Sequence, residues 1–216
     1  MPKILIGTPW NIDFISTGFC EHLRNMIVPY PTWFKVIRAR NIPDARNALC
    51  LLAVENEFTH IMMIDADQRA PQDCFLKLWA VLEEHGHDKT IAAGWATIKS
   101  GNFAGQSCVF ESKDGELRPL DPSGFGDSPF PAYAVGTACL LFDTQLLERL
   151  TPPWFSDLYV IREEEKFVEG EHSDIFWPVE YRFGQDVTFS LRMRGAGMTI
   201  MVEPKVKLPH EIIGTL

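Results

Sequence analysis

Apolar positions in the first hundred residues come in short runs separated by stretches with helical spacing. "KILIGT" (3–8) is a continuous apolar run closed by a turn signal, the pattern of a strand buried on both faces. Residues 14–26 carry apolar side chains at helical spacing, and "WFKVIRA" (33–39) predicts a second strand. Pro43, followed by Asp44, opens a predicted helix reaching about Asn56, because proline is preorganised for a first helical turn. "HIMMI" (60–64) predicts a third strand, "PQDCFLKLWAVLEEHG" (71–86) a third helix and "TIAAGWA" (90–96) a fourth strand. This alternation implies an α/β domain, with a mostly parallel central sheet and helices on both faces.

The second half is less regular. "SCVFESKDGELRPL" (107–120) predicts a hairpin around Asp114-Gly115, a small antiparallel addition to the sheet. "DPSGFGDSPFP" (121–131) is loop by composition, and "YAVGTACLLF" (133–142) returns to the core as strand. Residues 151–179 are rich in proline, aromatic and acidic residues and show no clean period. "GQDVTFSLRMRGAG" (184–197) predicts a helix with a glycine stop, and "MTIMVEP" (198–204) a last strand. With no repeat, linker or low-complexity tract, the 216 residues are expected to form one domain. Its halves divide near residue 100, with variable loops at 120–131 and 152–179.

Charge narrows the partners. Twenty basic residues against 29 acidic ones give a net charge of −9, which disfavours, without closing, binding to a nucleic-acid backbone or an anionic membrane. The five cysteines are scattered, odd in number and free of any C-x-x-C pair, so reduced core residues are expected. The first residues turn polar too soon for a signal peptide, and no apolar run is long enough to span a bilayer. A cytoplasmic protein with no transmembrane segment is the expectation.

The candidate chemistry starts at "IDADQ". Ligands of an open parallel sheet collect outside the carboxyl ends of its strands, where Asp65 and Asp67 are expected. Residues two apart on an extended chain share a side, and a divalent cation would relieve the repulsion of two carboxylates. Alone, the pair fits equally a solvated strand-to-helix turn. Asp186 opens the late helix, where a carboxylate also serves as a cap, and His210 follows the last strand. Histidines in "EEHGH" (83–87) suit a helix end, His60 reads as structural, and "REEEK" (162–166) reads as a solvated charged loop.

Taken together, "IGTPW", "ARNALC", "MMIDADQ", "YAVGTACLLFDTQLLERL", "FGQDVTFSLRMRGAG" and "VEPKVKLPH" resemble the GT-A-fold glycosyltransferases, particularly the family-2-like enzymes. The matching segments cover most of the chain in the expected order, leaving mainly 100–131 and 152–179. The resemblance implies a single GT-A-type, Rossmann-like domain that binds a nucleotide sugar in its first half and the acceptor in its second. Thr8, Pro9 and Trp10 would receive the nucleotide base and ribose. Arg46 and Asn47 would contact the donor, as would Asp65 at the ribose or the metal's outer shell. Asp67 would bind Mn²⁺ or Mg²⁺ directly, with His210 as a further contact. Gly136 and Thr137 would shape the sugar and acceptor pocket, and Asp186 would be the catalytic base of an inverting hexosyl- or N-acetylhexosaminyltransferase. Gln185 stands where the family often has glutamate, which alters an acceptor contact and leaves the base in place.

Two further expectations concern the acceptor: Trp95 could stack on it or belong to the core, and the aromatic-rich stretch 154–177 could act as its mobile lid. UDP is the family's most frequent donor nucleotide; the acceptor is expected to be a hydroxyl of unknown parentage. A nucleotidyltransferase of similar fold is the alternative enzyme, disfavoured because "GTPWNIDF" has no lysine, arginine or glycine-rich triphosphate loop. A catalytically inactive nucleotide-sugar-binding module is the alternative outside enzymes.

Overall fold

The computed structural model describes residues 1–10, 17–99, 103–114, 116–161, 166–169 and 179–210, with the backbone alone at 158–161, 166–169 and 179–182. The start of the predicted first helix, most of "REEEK" and much of the proposed lid lie outside the described residues.

The first half follows its hydrophobic pattern. It runs β1 (Ile4–Trp10), α1 (Thr17–Asn25), β2 (Thr32–Arg38), α2 (Ile42–Glu55), β3 (His60–Ile64), α3 (Cys74–His85) and β4 (Thr90–Ala96). Every residue of β1, β3 and β4 is buried, as their continuous apolar runs require of interior strands. β2 and β3 pair in parallel on either side of β1. Asn41 caps α2 by accepting from Asp44 N at 2.8 Å, and Pro43 sits in the first turn. The buried face of α2 is Ala45, Arg46, Leu49, Cys50 and Ala53. It lies so close to β1 that a Cβ on Gly7 would stand 2.6 Å from Leu49 Cδ2, so a larger residue there would have to displace the Leu49 side chain.

The second half departs from the simple parallel order. It adds β5 (Val109–Lys113), β6 (Glu116–Pro119), β7 (Phe130–Ala132), β8 (Ala134–Val135), β9 (Cys139–Asp143), β10 (Leu158–Ile161), β11 (Lys166–Glu169), β12 (Val179–Phe183), α4 (Gln185–Gly195) and β13 (Thr199–Leu208). The predicted hairpin is β5–β6, extended by β8 into a small antiparallel sheet. The predicted strand 133–142 is two strands, because the chain breaks at Gly136-Thr137-Ala138.

The main sheet runs β2-β1-β3-β9-β4-β13-β7, flanked by helices. β9 slots antiparallel between β3 and β4, which the β-α-β order would have made neighbours. An apolar run such as "CLLF" qualifies for a central strand but carries no sign of its direction. β13 runs four residues beyond the predicted end, its register shifting between Val202 and Lys207. That irregularity accommodates Pro204, which cannot donate to a regular ladder.

Residues 151–179, which lacked a readable period, include β10 and β11; with β12 these form a second antiparallel sheet. Strands of four or five residues are too short to leave an alternation in the sequence. The proposed lid begins in the core: Trp154 and Phe155 are buried, and Trp154 Nε1 donates to Leu147 O at 2.9 Å. All five cysteines are free, four buried and Cys20 exposed. No helix among the described residues is long and apolar enough to cross a membrane.

Candidate active site at the carboxyl edge of the sheet

Because β9 is antiparallel, its first residue, Cys139, pairs with Ile64 at the end of β3. Gly136 and Thr137 therefore lie at the edge where β3 ends. β13 finishes with Leu208 opposite Ala96, the last residue of β4, which brings His210 beside Thr97. Helix α4 begins at the same edge with Gln185 and Asp186. Between these elements is a cavity of about 240 Å³ whose lining includes Asp65, Asp67, Lys99, Thr137, Asp186 and His210. Residues from five places in the chain meet there.

Asp65 and Asp67 do not lie side by side on extended chain. The backbone turns after Ile64, with Gln68 N donating to Asp65 O at 3.1 Å, and the two carboxylates take different partners. Asp65 Oδ1 accepts from Arg46 Nη2 at 2.6 Å. Arg46 Nη1 donates to Asp186 Oδ1 at 2.9 Å, and Thr137 Oγ1 donates to the same oxygen at 2.6 Å. Among the described residues Asp186 Oδ2 takes no such bond, so one carboxylate oxygen is anchored and the other is left for a ligand.

Arg46 stands behind these acids, only 2% exposed, with the Phe155 ring 5.8 Å from its guanidinium carbon. Burial opposes its charge, but Asp65 and Asp186 hold the guanidinium above its ordinary value. Burial pushes the Asp65 carboxyl up against the pull of Arg46. A guanidinium fork suits a two-acid brace better than the compact ammonium of lysine. Arg46 was expected to contact the donor; its two terminal nitrogens instead fix the end of β3 to the start of α4.

Asn47, also expected at the donor, clasps the chain after the cis Pro152-Pro153 bond. Its Oδ1 accepts from Trp154 N and Phe155 N, each at 2.9 Å, and its Nδ2 donates to Phe155 O at 2.8 Å. Thr8, Pro9 and Trp10 are buried in β1 rather than lining the cavity. Gly136 has a steric reason: a Cβ there would stand 2.8 Å from Cys108 Cβ. Burial pushes the neighbouring Cys108 thiol up to about 11, so this cavity cysteine is a poor nucleophile. Gln185 opens α4 with a buried Oε1 that has no partner among the described residues.

Trp95 is buried, donates from Nε1 to Pro204 O at 2.9 Å, and has Lys207 Nζ 4.8 Å from its ring centroid. It lines a second cavity of about 350 Å³ with Gln106, Ser107, Asp121 and Lys207. Thr97 belongs to both cavities, so the second adjoins the first.

Asp67 and His210 meet as the sequence suggested. His210 Nε2 is 2.7 Å from Thr97 O, a carbonyl that can only accept, so Nε2 carries the proton and Nδ1 the lone pair. Nδ1 accepts from Gln68 Nε2 at 2.8 Å and lies 3.6 Å from Asp67 Oδ2. That lone pair is taken by Gln68 here; with the Gln68 amide moved off Nδ1, the imidazole and the Asp67 carboxylate would form a donor pair that fits a divalent ion such as Mn²⁺. Asp65, expected at the ribose or the metal's outer shell, is committed through Oδ1 to Arg46. No group of three or more His, Cys, Asp or Glu side chains among the described residues is placed to hold an ion. Two protein ligands suit an ion that draws its remaining ligands from phosphate and water.

Sequence reasoning missed Gln68 and Lys99. Gln68 follows the acids directly and bridges backbone to backbone with His210. Lys99 follows β4 by three residues, and its ammonium forms an ion pair with Asp67 Oδ2.

A crystal structure of GalNAc-T7 with UDP, GalNAc and Mn²⁺ superposes with a TM-score of 0.60 at 10% identity, covering 97% of this chain and 43% of that one. The chain thus spans less than half of GalNAc-T7. The crystal structure of A197 from STIV gives the same TM-score at 14% identity, covering 97% of this chain and 86% of that one. At these identities the likeness speaks for the fold alone. No protein-family model and no curated protein sequence matches the chain.

Proposed function

We propose that the protein is a metal-dependent glycosyltransferase that moves a sugar from a nucleotide-diphosphate donor, of which a UDP-sugar is the first to test, to an acceptor hydroxyl with inversion. One observation carries the reading. Asp186 is held by Arg46 and Thr137 through one oxygen, with the other unengaged among the described residues, in a cavity that also contains Asp67 and His210.

Asp67 Oδ2 and His210 Nδ1 would hold Mn²⁺ or Mg²⁺, which as a Lewis acid stabilises a departing diphosphate. In the transfer step the acceptor oxygen forms a bond to the sugar's anomeric carbon as that carbon's bond to the diphosphate oxygen breaks. The acceptor's proton passes to Asp186 Oδ2. Arg46 and Thr137 hold that carboxylate in place, while Arg46 also holds Asp65 still. The nucleotide base would lie beyond Trp10, and the second cavity, with Gln106 and Lys207, would take part of the acceptor.

Release of nucleoside diphosphate from a panel of nucleotide sugars with Mn²⁺ tests the reading. Asp186→Asn is expected to keep donor binding and lose transfer, because the amide cannot take the proton. Full transfer by that variant would move the base elsewhere.

A further inference from the structure

The two cations of the site are held in different ways. Arg46 is buried and forked onto two carboxylates, so it cannot leave without stranding both. Lys99 has a side chain 53% exposed and, among the described residues, a single ion-pair partner, Asp67 Oδ2. An ion pair so open to solvent is weak and exchanges readily. Asp67 Oδ2 is also the oxygen 3.6 Å from His210 Nδ1, where a divalent ion would have to bind. Ammonium and metal therefore need the same atom.

The charge balance gives this sharing a consequence. Three carboxylates, Asp65, Asp67 and Asp186, against two cations, Arg46 and Lys99, give the cavity no excess of positive charge to draw a diphosphate. A divalent ion on Asp67 would supply it. It also displaces the lysine, whose flexible stem and rotatable donors can follow the nearest new anion.

We propose that Lys99 is a built-in counter-ion. It neutralises Asp67 while no metal is bound, and it transfers to the donor's diphosphate when the metal takes Asp67. The proposal rests on the reading of this cavity as a metal and nucleotide-diphosphate site, and it assigns Lys99 to the leaving group.

The test compares the wild-type chain with Lys99→Gln and Lys99→Arg. Mn²⁺ binding without nucleotide is followed by the paramagnetic resonance signal of the free ion. UDP binding in saturating Mn²⁺ is followed by calorimetry. Removing the competing ammonium is expected to tighten Mn²⁺ binding by roughly three- to tenfold in Lys99→Gln. The same variant is expected to weaken UDP binding roughly tenfold, by loss of a charge-assisted contact, with Lys99→Arg recovering part of it.

Mn²⁺ affinity unchanged or weaker in Lys99→Gln would overturn the shared-oxygen claim, and unchanged UDP affinity would overturn the transfer to diphosphate. A wild-type chain that binds Mn²⁺ but no nucleoside diphosphate would instead overturn the glycosyltransferase reading, and with it the diphosphate half of the proposal. The Mn²⁺ comparison would still decide the competition for Asp67.

Discussion

Arg46 Nη1 and Asp186 Oδ1 are 2.9 Å apart, although 140 residues separate them in the chain. With the bond from Arg46 to Asp65, this contact joins α2, the end of β3 and the start of α4 at one point. Replacing Arg46 with methionine removes the positive member and leaves two carboxylates facing each other. Breaking a buried pair costs about 3–5 kcal/mol, and the lower end is expected because both acids keep some contact with solvent. Arg46→Lys can reach only one of them, so it should recover part of the stability and little of the turnover. Denaturant unfolding and donor turnover on the two variants check this.

Asn47 yields a prediction that separates clasp from donor contact. Asn47→Ala strands Trp154 N, Phe155 N and Phe155 O. A loss of about 1–3 kcal/mol follows, read as a lower melting temperature, with nucleotide affinity little changed at a temperature where the variant is folded. A variant of native stability that binds nucleotide tenfold more weakly would return Asn47 to the donor.

Gly136 separates Thr137 from the β5–β8 contact. In Gly136→Ala the new Cβ meets Cys108 Cβ at 2.8 Å and Sγ at 3.0 Å, and the strain should shift the neighbouring Thr137 away from Asp186. Overpacking of this kind costs about 1–3 kcal/mol. Turnover should fall more than donor affinity. Cys108→Gly removes both clashing atoms, so the double variant should recover stability relative to Gly136→Ala; a double-mutant cycle of unfolding energies measures that coupling.

Much of this was legible in the chain. Continuous apolar runs located β1, β3 and β4, and Pro43 located α2. The acids of "IDADQ" do lie at the carboxyl edge of the sheet, and Asp67 does come within 3.6 Å of His210. Direction and distant pairing were not legible: nothing in "CLLF" says that β9 runs antiparallel between β3 and β4. The bracing role of Arg46 was not legible because its acid partners come from two other segments, 19 and 140 residues away. Lys99 is a single lysine after a strand, and only the folded chain brings it to Asp67.

Away from the cavity, His60 predicts an acid limit to stability. Its Nε2 lies 2.8 Å from His87 Nδ1, and its ring packs 4.7 Å from that of Trp79. Burial, with His87 beside it, lowers its pKa to about 4. The unfolded chain takes up that proton near pH 6.5, so between about 6.5 and 4 the unfolded state binds more protons. Stability should therefore fall as pH drops through this window. Melting temperatures from pH 7 to 4.5 check it, and His60→Asn should flatten the slope relative to wild type.

The role proposed for Asp67 and His210 is to hold a divalent ion for a nucleotide diphosphate. Its most direct test is calorimetric titration of UDP and other nucleoside diphosphates into the wild-type chain and Asp67→Asn, with Mn²⁺ and again with EDTA. Binding by the wild-type chain is expected in Mn²⁺, with loss of at least most of that affinity in EDTA or in Asp67→Asn. Absence of binding for every nucleotide in Mn²⁺, or equal binding by Asp67→Asn, would contradict it.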